Sequence, residues 1–137
     1  SASGALEALD EALRTAPGDP ETLMNEYSVL SSLGRKAEAG ELLQGLLAAR
    51  PGHGPALLAA ARENALAGRL PEAMAFYKKL LTANPYDLEG LNDYGVLLAR
   101  SGEYARAEIL FRRALKISPG LESARANLAR LVSLKGK

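Results

Sequence analysis

Three columns of residues recur every 34 positions, and that period constrains the fold more than any other feature of the chain. Prolines stand at Pro17, Pro51, Pro85 and Pro119, glycines at Gly34, Gly68, Gly102 and Gly136, and alanines at Ala5, Ala39, Ala73 and Ala107. A shared register across three columns marks a repeated supersecondary unit, which sets the architecture before any local reading. Each glycine falls where one helix must stop and the chain turn back, a place that often needs positive φ. Each proline ends a second helix, because it lacks an N–H and biases the preceding residue away from helical geometry. Each alanine lies early in that second helix, where a small side chain lets two helices approach closely.

Between these markers apolar residues recur at helical spacing: Leu91, Tyr94, Gly95 and Leu98, then Ala107, Leu110, Phe111, Ala114 and Leu115. Leu and Ala dominate the apolar set, and both lose little rotamer freedom in a helix. The few β-branched residues would furnish a sheet poorly. The period predicts helices over about 3–15, 20–33, 36–49, 55–67, 71–83, 88–101, 104–117 and 121–134. Pro71 suits the first turn of its helix, where a missing N–H costs nothing.

The segment LNDYGVLLARSGEYARAEILFRRALKISP, Leu91 to Pro119, resembles a tetratricopeptide repeat. Leu91, Gly95, Ala107, Phe111, Ala114 and Pro119 carry the resemblance, with Tyr94 and Leu98 as variants in apolar columns and Leu91 where a Trp is often found. The resemblance implies an all-α fold, a right-handed superhelix of antiparallel helix pairs (an α-solenoid) with about eight helices. Phased this way, the chain reads as a single array with full repeats at 20–53, 54–87 and 88–121. Residues 1–19 form the second helix of an earlier repeat, and 122–137 the first helix of a later one. An array cut in mid-repeat is expected to belong to a longer chain and to show apolar residues outward at its ends, at Leu6, Leu9, Leu131 and Leu134.

The same resemblance implies a groove that holds a peptide or protein segment, lined by the first helix of every repeat. On this sequence that face comprises Met24, Asn25, Ser28 and Ser31; Leu58, Ala59, Arg62 and Ala65; Asn92, Asp93, Val96 and Arg100; and Asn127 and Arg130. Steps of three or four within each helix put each set on one face. Amides at Asn25, Asn92 and Asn127 can bond to the backbone of an extended peptide. Arg62, Arg100 and Arg130 can fork onto a partner's carboxylates or take part in intramolecular ion pairs. Chaperone-binding relatives grip a C-terminal carboxylate with basic residues at fixed groove places. The equivalent places here are Met24, Ser28, Ala59, Glu89 and Asp93, two of them acidic and none basic, which argues against such a clamp.

Other function classes find little support. With 17 Lys+Arg against 16 Asp+Glu there is no strong positive field for nucleic acid. The absence of Cys removes thiolate metal sites and thiol catalysis while leaving the compartment open, and no metal or cofactor is called for. No GxxxxGK[ST], GxSxG, HExxH or EF-hand spacing occurs. His53, in the turn RPGHGP, reads as an exposed loop residue. Tyr77, Tyr94 and Phe111 stand at core spacing, and the pairs Lys78-Lys79 and Arg112-Arg113 read as solvated charge. Glu63 and Asn64 interrupt the apolar pattern of the second full repeat, and a carboxylate there needs a partner or water. The expected role is a scaffold in a bacterial multiprotein assembly, by analogy with repeat arrays of pilus-assembly, secretion and exopolysaccharide machinery. Two alternatives stand beside it: a regulatory or substrate-presenting part of a larger enzyme, and a homo-oligomer built through the exposed terminal helices.

Overall fold

Leucine- and alanine-rich segments bounded by Gly and Pro become seven helices in the computed structural model, which describes residues 19–136. They are α1 (Pro20–Ser32), α2 (Lys36–Ala49), α3 (Gly54–Leu66), α4 (Leu70–Ala83), α5 (Leu88–Arg100), α6 (Tyr104–Ile117) and α7 (Glu122–Lys135). No strand occurs among the described residues. Every bound falls within one residue of the expected one. The expected helix over 3–15, with Ala5, Leu6 and Leu9, lies outside the described residues.

The turns repeat bond for bond. Gly34, Gly68 and Gly102 adopt φ of +76°, +79° and +81°. After each, a backbone N–H reaches back five residues: Arg35 to the Leu30 carbonyl at 2.9 Å, Arg69 to Asn64 at 2.8 Å, and Glu103 to Leu98 at 2.8 Å. This 6→1 bond with a left-handed glycine satisfies carbonyls that the helix end would otherwise leave open. Gly136 departs from the pattern: its φ is −74° and it caps α7 in a right-handed conformation. Of the glycine column, Gly34, Gly68 and Gly102 hold the left-handed turn conformation.

The chain divides into two compact units, one up to Ala60 and one from Ala61, so the division runs through α3. In the first, α1 packs on α2, with Leu30, Ala39, Leu43 and Leu46 buried. In the second, α5 lies against α4, α6 and α7, and α6 also packs on α7. Leu80, Leu91, Leu98, Phe111 and Leu131 are the large side chains almost wholly withdrawn from water there. Ala73 and Ala107 are fully buried, as their column predicts. Tyr77 and Tyr94 stack with ring centroids 5.4 Å apart, and Arg106 donates to the Tyr94 hydroxyl at 3.0 Å.

Two expectations need correction. Leu131 does not face outward: it is 1% exposed, because one face of α7 turns onto α5 and α6. Leu134, nearly one helical turn further on, is exposed as expected. His53 is half-buried, not exposed: it stands directly before α3, where its carbonyl accepts from Leu57 N–H at 3.0 Å, and its ring Nε2 is withdrawn from solvent.

Candidate functional site

The first-helix face of the second unit is organised by side chains that bond from one repeat to the next. Arg62 on α3 donates from Nε to Asp93 at 2.6 Å and from Nη2 to Glu89 at 2.9 Å, both on α5. On α5, Asn92 donates to the Ser123 hydroxyl at 3.2 Å and accepts from Asn127 on α7 at 3.0 Å. The Arg62–Asp93 and Asn92–Ser123 bonds each span 31 residues, one period less a three-residue step along the helix. Partial burial works against the Arg62 charge, but the bonds and charges of Asp93 and Glu89 outweigh it and raise its pKa. All three side chains keep substantial solvent contact, so each pair is worth only about 0.2–1 kcal/mol.

Two clefts open beside this lattice. The larger, about 310 Å³, lies between α3 and α5, with Ala65, Leu66, Tyr77, Val96, Leu97 and Arg100 in its lining beside the Arg62–Asp93 pair. The smaller, about 140 Å³, lies between α5 and α7, with Ala99, Phe111, Asn127, Arg130, Leu131 and Leu134 in its lining. Val96 and Arg100 border both. The walls are mainly apolar, and Leu66, 90% exposed, forms a lip that no described residue covers.

Of the groove residues expected from sequence, Arg62, Asp93, Val96, Arg100, Asn127 and Arg130 meet at these clefts, and Asn92 ties Asn127 to the lattice. Met24, Asn25, Ser28 and Ser31 on α1, and Leu58 on α3, belong to the first unit. Ser28 there donates its hydroxyl to the Met24 carbonyl at 3.0 Å. The fork of Arg62 is occupied by its own chain's carboxylates. Arg100 and Arg130 are exposed, and their side chains make no ion pair or hydrogen bond among the described residues. Leu66 and Leu134 were not expected at the site, although the period could have placed them: both lie 34 residues from Arg100. Among the described residues no three His, Cys, Asp or Glu side chains are grouped to hold a metal ion, and no helix is long and apolar enough to cross a membrane.

Two family models described as tetratricopeptide repeat match the sequence, one over residues 28–88 and one over 64–131. The chain belongs to the tetratricopeptide repeat family. Solved structures of tetratricopeptide solenoids share its fold. A tetratricopeptide repeat protein from Parabacteroides merdae ATCC 43184 superposes with a TM-score of 0.85 at 25% identity, over 98% of this chain and 54% of the other. This chain thus spans about half the length of that protein. A MamA fragment from Desulfovibrio magneticus RS-1 gives 0.81 at 20% identity, over 99% of this chain and 77% of the other. PilW, described as a widely conserved type IV pilus biogenesis factor, gives 0.82 at 22% identity, over 98% of this chain and 63% of the other. No curated protein sequence matches the chain. Tetratricopeptide repeat proteins bind protein partners.

Proposed function

We propose that this tetratricopeptide chain is an interaction scaffold that seats a peptide or protein segment in the two clefts along α3, α5 and α7. The observation that carries this reading is the shared wall at Val96 and Arg100, which makes two apolar clefts neighbours on one face. Ligand sites are concave and mostly apolar, with a few placed polar groups, and this face has that make-up. The exposed Leu66 lip supports the reading, because an apolar residue so fully in water gains by being covered. The amides of Asn92 and Asn127 are already bonded to one another, so they hold the wall in place and leave recognition to the arginines and apolar residues. The pilus-biogenesis role belongs to PilW; its likeness in fold accords with a place for this chain in a bacterial multiprotein assembly.

Site-specific photocrosslinking tests the reading. A photoreactive residue at Val96, in the shared wall, is compared with one at Ile109, exposed on the second helix of the same repeat. A discrete crosslinked partner from Val96 and not from Ile109 is the expected result. Equal capture at both positions, or none at Val96, overturns it.

A further inference from the structure

We infer that the clefts select a segment in which an internal acidic side chain is flanked by apolar ones, held by Arg100 and Arg130. This rests on the binding role proposed above and adds the chemistry of the partner. The relevant residues form two columns at the period of the repeat: Arg62, Val96 and Arg130 in one, Leu66, Arg100 and Leu134 in the other. Cationic and apolar side chains therefore alternate both along each column and between them. All six line the clefts.

The charge balance of this face decides the sign of the partner. Among the described residues Asp93 is the only carboxylate in the cleft lining, and with Glu89 it is engaged by Arg62. Arg100 and Arg130 are left as two cations on the smaller cleft with no intramolecular partner among the described residues. A guanidinium fork matches a carboxylate in bidentate geometry and does so best beside low-dielectric walls, which Val96, Phe111, Leu131 and Leu134 supply. A cationic or purely apolar segment would leave both arginines without a counter-charge. Apolar side chains on either side of the acid would cover Leu66 and Leu134. The commitment is to a side-chain carboxylate: the places at which relatives grip a chain terminus hold no base in this sequence.

A random peptide library fused to the N-terminus of a phage coat protein, so that no peptide offers a free C-terminal carboxylate, is selected on the immobilised chain. Selected peptides are rebound to the wild type, to Arg100→Gln/Arg130→Gln, and to Val96→Trp, which fills the shared wall. Unchanged circular dichroism of the exposed-site arginine variant shows that it is folded. The expected result is enrichment of Asp or Glu next to apolar residues, with affinity falling about tenfold in the arginine variant and with rising salt. Peptides that bind without an acid, lose affinity with Val96→Trp and ignore the arginine variant overturn the carboxylate inference but leave the clefts as a binding site. No enrichment, or binding unaffected by either variant, overturns both.

Discussion

Gly95 on α5 lies so close to Phe111 on α6 that a Cβ added at Gly95 would sit 2.5 Å from the ring's Cε1. Replacing Gly by Ala inside a helix ordinarily gains up to about 1 kcal/mol. Overpacking a core costs about 1–3 kcal/mol, and a buried ring, unlike the end of a flexible side chain, cannot swing aside. The clash wins. Gly95→Ala is expected to lower stability by up to about 2 kcal/mol in urea unfolding. In a Phe111→Leu background the same substitution should become neutral or stabilising.

The turn glycines give a sharper comparison. Gly102 holds φ at +81°, whereas Gly136 holds −74°, and a Cβ added at Gly136 would meet only ordinary van der Waals contacts, at 3.6 Å. Gly102→Ala should cost about 1–2 kcal/mol, the penalty of a left-handed L-residue. Gly136→Ala should change stability by no more than about 0.5 kcal/mol. Parallel thermal melts of the two variants check this, and equal losses would contradict it.

Burial, and secondarily the Asp93 charge, pushes the Tyr77 phenol from its ordinary 10.0 up to about 12 in the folded chain, with Arg62 opposing. A raised folded value favours the neutral phenol. Its contribution is therefore complete below pH 10 and is lost as pH rises toward 12. Tyr77→Phe, which has no proton to lose, should resist alkaline unfolding better than the wild type across that window. A stability gap between the two that stays constant from neutral pH to pH 12 would contradict the assignment.

Glu108 on α6 accepts from Lys135 Nζ on α7 at 2.9 Å and from Arg112 Nε at 3.1 Å, and these bonds hold its pKa below the ordinary 4.5. A depressed folded value contributes stability above pH 4.5 that disappears as pH falls through the folded value. Lys135→Ala should therefore be less stable than the wild type at neutral pH, and the difference should shrink on acidification. Denaturant midpoints measured across the acid range read this directly.

The positions of the helices were legible in the sequence because they depend on local chain chemistry repeated at one period. Glycine permits the positive φ of Gly34, Gly68 and Gly102, proline follows each second helix, and alanine marks the close approaches at Ala39, Ala73 and Ala107. These are properties of single residues and their neighbours, so a column of letters carries them. Tertiary structure decided which polar side chains were already engaged. Arg62, Arg100 and Arg130 look alike as letters on a helix face, yet only Arg62 has acids at Glu89 and Asp93, 27 and 31 residues onward, within hydrogen-bond reach. The same holds for Leu131, turned inward by the way α7 meets α5 and α6. Backbone form follows from local chemistry; the pairing of a side chain depends on what packing brings within about 3 Å of it.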